Sequence, residues 1–490
     1  MENYKQYIAV DLGAESGRVM LGGVGEGLLE LQEVYRFSND PIEEAGALKW
    51  NFKVIFAGVK EGIGRSVRQA QGQVTGIGVN SWGVDFGLLD KNGQLLENPY
   101  HYRDRRTEGM LEKAFKIMSQ EEIFENSGIQ FMPLNSLYQL LALKMERPEV
   151  LERAEKLLFM ADLVSYFLTG KIYAEYTLAG TSQMIDMRKG EWSKVILDRF
   201  GLPRHIMPEV VQAGMLAGTL KDTLCQELGV EPIKVFTVGS HDTAGAVVAV
   251  PVVEQDWAFI SSGTWSVVGV EIDKPIINDD VLKYGFTNEG GVGGAIRFST
   301  NLVGLWPLQQ CRKHWEDEGE DLSYRELVEL ARESEPFAAF LDPGDESLFR
   351  PGNMPIKINE YLTKTGQDQL TDNGRMVRVI LEGLALQYVK TVRAIETIRK
   401  KSIEVIHIVG GGSRNELLSQ FTSDATGKKV ITGPVEATAM GNVIVQSMAD
   451  GQIESVSQGR EMVRRSCNLK TYMPSDNESW DGHYRKWIKS

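Results

Sequence analysis

The sequence predicts an α/β chain built from two similar domains. The main observation is an internal repeat, because residues 8–18 and 257–270 share one pattern: apolar strand, short polar turn with glycine, apolar strand. The repeat aligns Gly13 with Gly263 and Ser16 with Ser266. A second observation is the alternation of strand and helix patterns over the first ninety residues, which is typical of α/β layers. We expect the two domains to face each other, each with one phosphate-binding hairpin in a shared cleft.

Composition and charge exclude several classes of protein. A chain of 490 residues is long enough for two or three domains with separate cores. The net charge of −14 argues against a general nucleic-acid or anionic-membrane surface, although it permits a local anion site. The three cysteines, Cys225, Cys311 and Cys467, are too far apart to indicate a disulfide framework or a CxxC metal site.

No targeting or membrane segment is expected. The N-terminus lacks a charged-then-apolar signal pattern, and the apolar stretch 243–253 is too short to span a bilayer. These features predict a cytoplasmic protein, monomeric or homodimeric, that binds small molecules and neither nucleic acid nor membrane.

The first hairpin has the features of half a nucleotide-phosphate site. Residues 8–10 form a short apolar strand that ends at Asp11. Gly13 and Gly17 bracket the turn, where glycine supplies positive φ and lets backbone approach a ligand. A row of backbone N–H groups there forms a concave anion site, and Asp11 could hold Mg²⁺ through water. An ordinary glycine-containing hairpin is the alternative.

The remaining elements follow from hydrophobic periodicity and from glycine and proline breaks. We expect strands at 28–37, 74–80, 235–239 and 403–409, a hairpin turn at 91–93, helices at 50–71 and 376–401, and mostly helix over 108–166. A small-residue helix begins at Asp242 and ends before Pro251, and Gly410–Gly412 form a turn into a helix near Arg414. Residues 287–354 are expected to be irregular. The predicted domains are 1–247, 248–455 and a C-terminal segment, 456–490, that packs back on the first domain.

The segment Gly239–Gly245 is the best candidate for the reaction centre. Asp242 follows a strand and opens a helix, so backbone would fix its carboxylate where it could accept a proton from an alcohol. Phosphoryl transfer needs positioning, charge neutralisation and such a base. The alternatives are that Asp242 is only a helix N-cap and that His241 is a structural histidine. The chain has no GxxxxGK[ST] phosphate loop, protein-kinase catalytic loop, HExxH or GxSxG motif.

Together these motifs resemble the FGGY carbohydrate kinases of the actin-like ATPase superfamily. The resemblance runs essentially from end to end. The matching segments are 9–14, 81–86, 102–104, 127–131, 240–243, 261–265, 301–306, 407–412 and 433–437. It implies two actin-like (ribonuclease H-like) domains with mixed sheets flanked by helices, and a ligand cleft between them.

The resemblance also implies a reaction and a set of site residues. ATP would phosphorylate the primary hydroxyl of L-rhamnulose, in L-rhamnose catabolism, to give L-rhamnulose 1-phosphate and ADP. Asp242 would be the general base, and Asp11 would orient hydrated Mg²⁺. The sugar would be held by Gly83, His241, Asp242, Thr243 and Asn301. ATP would be bound by Ala14, Glu15, Ser16, Gly17, Arg18, Thr264, Gln309 and Gly411.

Two positions depart from the family pattern. Glu15 stands where a small hydroxyl residue is usual, and an acid beside phosphates costs Coulomb energy unless it points away or meets the metal. Asn80 replaces an acid often found before the Ser81–Phe86 run. The alternative functions are a kinase for another ketose or polyol (L-fuculose, xylulose or glycerol), a non-catalytic ATP-binding, sugar-sensing switch, and a filament-forming relative.

Overall fold

A computed structural model describes residues 4–71 and 73–489 of the chain. The chain divides into two compact units. The first unit comprises Met1–Ala249, Glu271–Phe298 and Ala437–Ser466. The second comprises Val250–Val270, Ser299–Glu436 and Cys467–Ser490.

The elements of the first half of the chain alternate between strands and helices. In chain order they are β1 (Lys5–Leu12), β2 (Ser16–Gly25), β3 (Leu28–Ser38), β4 (Pro41–Glu44), β5 (Ala47–Trp50), α1 (Phe52–Gln69), β6 (Val74–Ser81), β7 (Phe86–Leu89), α2 (Met110–Phe115), α3 (Gln120–Ser127), α4 (Ser136–Glu146), α5 (Pro148–Arg153), β8 (Lys156–Phe159), α6 (Met160–Thr169), β9 (Ala174–Glu175), α7 (Tyr176–Ala179), β10 (Ile185–Asp186), β11 (Glu191–Trp192), α8 (Lys194–Arg199), β12 (Val210–Val211), β13 (Leu216–Thr219), α9 (Asp222–Leu228), β14 (Lys234–Phe236) and α10 (Asp242–Val248).

The second half contains longer helices. Its elements are β15 (Trp257–Ser262), β16 (Trp265–Ile272), α11 (Asp279–Tyr284), β17 (Thr287–Gly290), β18 (Ile296–Val303), α12 (Trp306–Asp317), α13 (Tyr324–Glu333), α14 (Met354–Lys364), α15 (Asn373–Arg399), β19 (Val405–Val409), α16 (Glu416–Thr426), β20 (Lys429–Thr432), α17 (Ala437–Ala449), α18 (Val456–Ser466), β21 (Lys470–Tyr472) and α19 (Asn477–Trp487).

A six-stranded mixed sheet, in the order β13-β14-β6-β1-β2-β3, organises the first unit. β1 is antiparallel to β2 and parallel to β6, which is itself parallel to β14. β1 is buried on both faces, which explains its continuous apolar run. Glycines let two helices pack closely against this sheet. A Cβ on Gly62 of α1 would meet Val19 of β2, and a Cβ on Gly22 of β2 would meet Val443 of α17.

The main sheet of the second unit repeats this arrangement. Six of its strands lie in the order β18-β16-β15-β19-β20-β21. β15 is antiparallel to β16 and parallel to β19, which is itself parallel to β20. The long helix α15 packs with α13 and α16, and its Tyr388 hydroxyl lies 2.8 Å from the Ser266 hydroxyl on β16. The internal repeat predicted from the two hairpins is therefore a repeat of strand order and direction.

Most element predictions agree with the structure, and two regions differ. The predicted helices 50–71 and 376–401 correspond to α1 and α15. Residues 108–166 are mostly helical, as predicted, but they also contain the strand β8, which separates α5 from α6 and pairs with β7. Residues 287–333 are not irregular, because they form β17, β18, α12 and α13, whereas residues 334–353 form no strand or α-helix, as predicted. The glycines there mark ends of elements, as at the positive-φ residues Gly293 and Gly294 before β18.

The division into units differs from the predicted segments. The first predicted segment ends two residues before Ala249, but residues 271–298 and 437–466 also belong to the first unit. The physical reason is that α17 covers one face of the first sheet, where Gln446 donates to the Ile8 carbonyl at 2.9 Å. The predicted C-terminal segment is split, since residues 467–490 belong to the second unit, where β21 pairs with β20 and Trp487 donates to the Leu341 carbonyl. Within residues 4–71 and 73–489, no helix is both long and apolar enough to cross a membrane.

Candidate active site

The first hairpin holds an ion pair at the ends of its strands. Asp11 of β1 and Arg18 of β2 are cross-strand partners, and Arg18 Nη2 lies 2.5 Å from Asp11 Oδ2. Asp11 is buried and Arg18 is half-buried, so this charge pair is partly protected from solvent. The turn between the strands closes with a 3.0 Å hydrogen bond from Gly13 N to the Ser16 carbonyl.

The glycines of this turn are needed because there is no room for a side chain, and not because of their φ angles. Gly13 and Gly17 do not have the positive φ that the sequence predicted. Instead, a Cβ on Gly17 would lie 2.2 Å from the Phe37 ring of β3, and a Cβ on Gly13 would lie 3.2 Å from the Ser16 carbonyl. Ala14 and Ser16 are half-buried in this turn and Glu15 is exposed. The departure at Glu15 therefore places an acid in solvent rather than in a closed pocket.

Residues 240–243 bring three of the predicted sugar residues together at the start of α10. The carboxylate of Asp242 accepts hydrogen bonds from the backbone N–H and the hydroxyl of Thr243, at 2.6 and 3.2 Å, and both fall on Oδ1. His241 is the N-cap of α10, and its Nε2 lies 3.2 Å from the same oxygen. The Asp242 side chain is 36% exposed, so its carboxylate is accessible to a small ligand.

A buried ion pair, Glu289 and Arg297, lies behind His241. Arg297 Nη2 is 2.9 Å from Glu289 Oε2 and 3.0 Å from His241 Nδ1, and its Nε donates to the Gly290 carbonyl. Burial alone would raise the pKa of Glu289, but the adjacent Arg297 guanidinium, which is charged and hydrogen-bonded to it, holds that pKa below its usual range. Glu289 is therefore ionised across the physiological range.

A second buried carboxyl anchors the segment before His241. Glu175 Oε2 accepts from the backbone N–H of Ser240 at 3.2 Å and from the N–H and hydroxyl of Thr177. The Thr177 hydroxyl oxygen accepts in turn from the His241 N–H at 3.0 Å. Burial raises the pKa of Glu175 to about 7, against these hydrogen bonds, which lower it.

Asn80 belongs to a buried chain of amides. Its Nδ2 donates to the Gly239 carbonyl at 2.6 Å, and its Oδ1 accepts from Asn442 at 2.6 Å. Gln446 then donates to Asn442. The donor that Asn80 supplies to Gly239 explains why an amide can stand here, since an ionised acid could only accept.

The loop after β6 carries Gly83 between aromatic and acidic anchors. Asp85 is fully buried and accepts from the indole N–H groups of Trp50 and Trp82, at 2.6 and 2.9 Å, and from Gln139. Burial raises the pKa of Asp85 to about 6, and the hydrogen bonds oppose that rise. A Cβ on Gly83 would lie 2.9 Å from Thr181, so the loop approaches the neighbouring segment closely.

Val84 in the same loop has an unusual backbone conformation. Its φ is 68°, which is rare and costly for a β-branched residue. Its N–H is held by the Thr181 hydroxyl and its carbonyl by the Ser136 hydroxyl at 2.6 Å. Ser81 at the end of β6 forms a parallel bridge with His241, so this loop begins beside the candidate base.

In the second unit, the β15–β16 hairpin supports the predicted nucleotide residues. The Gly263 and Thr264 carbonyls accept from the N–H groups of Leu305 and Gly304, at 2.9 and 3.0 Å. This contact fixes the start of α12, one turn before Gln309. Within residues 4–71 and 73–489, Gln309 Oε1 is buried without a hydrogen-bond partner, which indicates an acceptor available to a ligand. Asn301 is half-buried on β18.

The triple glycine after β19 approaches the same hairpin. Gly410 has φ of 83° and ψ of −174°, and a Cβ on Gly412 would lie 2.0 Å from the Ser262 hydroxyl. A Cβ on Gly411 would meet no atom within 4 Å. The chain therefore presents bare backbone at Gly411, consistent with close approach of a flat ligand edge.

The sequence analysis did not identify Glu175, Glu289 or Arg297. Each is a charged residue within a strand, and a strand pattern alone does not distinguish a buried ion pair from a solvent-facing charge. Glu289 and Arg297 also lie in the region predicted to be irregular. A possible signal was the position of Arg297 between the apolar residues Ile296 and Phe298, which is typical of a strand.

The described part of the chain contains no group of three or more His, Cys, Asp or Glu side chains arranged to hold a metal ion. Asp11 is the one predicted metal residue, and a single carboxylate fits Mg²⁺, which keeps most of its water ligands and uses phosphate oxygens. The Arg18 guanidinium contacts Oδ2 of that carboxylate, so the neighbouring strand helps to position it.

Known proteins resemble the chain over nearly its whole length. Residues 6–249 match the N-terminal domain, and residues 258–449 the C-terminal domain, of the FGGY family of carbohydrate kinases. A rhamnulokinase of Bacteroides thetaiotaomicron is 42% identical over 480 residues, which cover 98% of each chain. A rhamnulokinase of Bacillus subtilis is 36% identical over 470 residues, which cover 96% of each.

Solved structures share the fold at low identity. A gluconate kinase and a xylulose kinase from Lactobacillus acidophilus each match 99% of this chain and 97% of their own, with a TM-score of 0.83 and 17% identity. These matches extend the family assignment to the three-dimensional structure, an actin-like α/β fold. The chain belongs to the FGGY family of carbohydrate kinases.

Proposed function

We propose that this chain transfers the γ-phosphoryl group of ATP to the 1-hydroxyl of L-rhamnulose, giving L-rhamnulose 1-phosphate and ADP. The observation that carries the proposal is the 42% identity to a curated rhamnulokinase over 98% of both chains. Its place is the breakdown of L-rhamnose, and its location the cytoplasm, where ATP is supplied.

Asp242 is the proposed general base. The proton of the sugar hydroxyl passes to Asp242 while the hydroxyl oxygen forms a bond to the γ-phosphorus, and the bond from that phosphorus to the β,γ-bridging oxygen breaks to release ADP. The partial exposure of the Asp242 carboxylate supports this role, as does the concentration of its hydrogen bonds on one oxygen. Gly83, His241, Thr243 and Asn301 are proposed to hold the sugar.

Backbone and one orphaned acceptor support the proposed ATP contacts. The turn Ala14–Arg18 offers N–H groups and the Arg18 guanidinium to phosphates. Gln309 Oε1, buried without a partner among the described residues, supplies an acceptor for a nucleotide N–H, and Gly411 offers unobstructed backbone. Thr264 adds a hydroxyl in the turn of the second hairpin.

Asp11 is the residue proposed to hold Mg²⁺ through a bound water. When bound, the ion neutralises charge on the phosphates during transfer. The chain's own contribution is to orient the Asp11 carboxylate, which the Arg18 guanidinium does from the neighbouring strand.

The alternative functions are less well supported. Kinases for other sugars share the fold, but the xylulose and gluconate kinases match at 17% identity and the rhamnulokinases at 36–42%. A non-catalytic sugar-sensing switch would not require a base, so the environment of Asp242 argues for catalysis.

ADP release measured over a panel of acceptors tests the proposal. We expect the highest kcat/KM with L-rhamnulose among L-rhamnulose, L-fuculose, L-xylulose, D-xylulose and glycerol, and ³¹P NMR should place the phosphate on O1. A higher kcat/KM with another acceptor would assign the chain to that sugar. No acceptor-dependent ADP release with a protein that binds both ligands would favour the switch.

A further inference from the structure

Stability alone does not explain why Glu289 and Arg297 are buried as an ion pair. The Arg297 side chain is fully buried, at 0% exposure, and Glu289 is nearly so. Burying two charges costs desolvation energy that their attraction seldom exceeds, so such a pair is weak evidence for a purely stabilising role. The pair does contact one functional group, the Nδ1 side of the His241 ring.

Arg297 determines which ring nitrogen of His241 carries the proton. A guanidinium group has donors and no acceptor. Because Arg297 Nη2 lies 3.0 Å from His241 Nδ1, that nitrogen presents its lone pair, and the neutral ring carries its proton on Nε2. Glu289 Oε2, 3.4 Å from Nδ1, would favour the opposite tautomer, but it lies closer to Arg297, at 2.9 Å.

The tautomer matters because Nε2 faces the proposed base. Nε2 lies 3.2 Å from Asp242 Oδ1, the oxygen that also accepts from Thr243. With the proton on Nε2, the ring offers a donor to the carboxylate. With the proton on Nδ1, a lone pair would face the carboxylate, repel it and compete for any proton arriving there.

We propose that Arg297 is a positioning residue that holds His241 as the Nε2–H tautomer, so that Asp242 and not His241 receives the proton of the sugar hydroxyl. The inference rests on the proposed function only for the identity of the hydroxyl. In the transfer step the hydroxyl proton moves to Asp242 Oδ2, since Oδ1 is already occupied by donors. His241 keeps its own proton throughout, and Glu289 serves to hold the Arg297 guanidinium in place.

Three variants separate this role from a structural one. Arg297→Met removes the donor, so Glu289 accepts a hydrogen bond from Nδ1–H and the tautomer inverts. Arg297→Lys loses the guanidinium but keeps a group that only donates. Arg297→Met combined with Glu289→Gln leaves no buried charge, and the new amide can donate to Nδ1.

The tautomer of the His241 ring is measured by ¹⁵N NMR of histidine-labelled protein. The chain has six histidines, and the His241 signal is identified by its loss in His241→Gln. We expect the Nε2–H tautomer in the wild type, in Arg297→Lys and in the double variant, and the Nδ1–H tautomer in Arg297→Met. Turnover should follow the tautomer: kcat falls roughly tenfold or more in Arg297→Met and stays within about threefold in the other two, with KM for ATP unchanged in all.

An Nδ1–H ring in the wild type would overturn the proposal, and so would unchanged kcat in an Arg297→Met protein whose tautomer has inverted. A parallel loss of Tm and kcat in all three variants, with no change of tautomer, would assign Arg297 a structural role instead. The ring spectrum is recorded without substrate. A wild type that shows Nε2–H but does not phosphorylate L-rhamnulose would therefore refute the proposed function and leave this inference intact.

Discussion

The two main sheets share one strand order but differ in what stands at the strand ends. When the sheets are aligned, Asp11 corresponds to Ser261, and the Asp11–Arg18 partners correspond to Ser261–Val267. The first hairpin therefore carries an ion pair where the second carries a hydroxyl and an apolar side chain. The two units therefore share the topology of their sheets and differ in the side chains at the strand ends.

The same contrast holds at two further positions. The helix after β14 begins with Asp242, whereas the helix after β20 begins with Ala437 and Thr438. The loop after β6 carries an indole and a buried acid, whereas the loop after β19 is a run of glycines. The first unit thus offers ionisable side chains, and the main sheet of the second offers backbone. This division matches a reaction that needs a base for one substrate and close backbone packing for the other.

The largest effect is expected at Asp242, the carboxylate at the start of α10. Asp242→Asn should lower kcat by roughly 10²–10⁴-fold, because an amide cannot accept the proton, while ATP affinity measured by calorimetry stays unchanged. The matched control is Thr438→Val at the start of α17, which removes the 3.1 Å hydrogen bond to the Asp242 carbonyl but leaves the carboxylate. Turnover close to wild type in Asp242→Asn would show that the base assignment is wrong.

A smaller effect is expected at the end of β6. Asn80 corresponds to Val409 at the end of β19, so the amide chain is a feature of the first unit. Asn80→Asp should lower the free energy of unfolding by about 1–3 kcal/mol at pH 8, because a carboxylate cannot donate to the Gly239 carbonyl. Burial would raise the pKa of the new acid, so stability should be present at low pH and lost as pH rises through that pKa. Equal denaturant midpoints for the variant and the wild type at pH 8 would contradict this account.

The strand order and the hairpins could be predicted from the sequence because they depend on local patterns. Alternating and continuous apolar runs locate strands, and Gly13 and Gly263 mark turns in both copies. The ion pair behind His241 could not be predicted, since Arg297 and Glu289 lie about 50 residues along the chain from His241 and meet it only in the folded unit. The sequence also could not show why position 17 is a glycine. The Phe37 ring of β3, and not the turn, leaves no room for a side chain there.

The boundaries of the two units could not be predicted from the sequence for a similar reason. Helix α17 follows a strand of the second sheet in sequence, but Gly441 packs so closely on Gly245 of α10 that no side chain fits between them. Local periodicity shows that α17 is a helix and does not show which sheet it covers. A glycine in a helix indicates a close approach only once the partner is known.

The triple glycine provides a matched pair of substitutions in the second unit. Gly412→Ala would place Cβ 2.0 Å from the Ser262 hydroxyl, so we expect a loss of about 1–3 kcal/mol of stability. Gly411→Ala meets open space, so stability should be unchanged while KM for ATP rises, because the methyl group occupies the surface proposed for the nucleotide. Thermal unfolding and ATP-dependent kinetics measure the two effects separately. An unchanged KM in Gly411→Ala would remove this residue from the nucleotide site.

The smallest expected effect concerns Glu15, an acid in the turn of the first hairpin, whereas the turn of the second hairpin, residues 263–264, carries none. Glu15 is exposed, and its backbone carbonyl accepts from Asn39 N at 3.3 Å whatever its side chain is. Charges in solvent interact weakly, so Glu15→Ser and the near-isosteric Glu15→Gln should each lower KM for ATP by no more than about threefold. The difference from wild type should shrink as salt is raised, because screening weakens the repulsion between the acid and the phosphates. A gain in ATP affinity well above this in both variants, insensitive to salt, would mean that the acid acts on the phosphates at close range. The first hairpin would then hold its ligand against a local electrostatic cost that the second hairpin avoids.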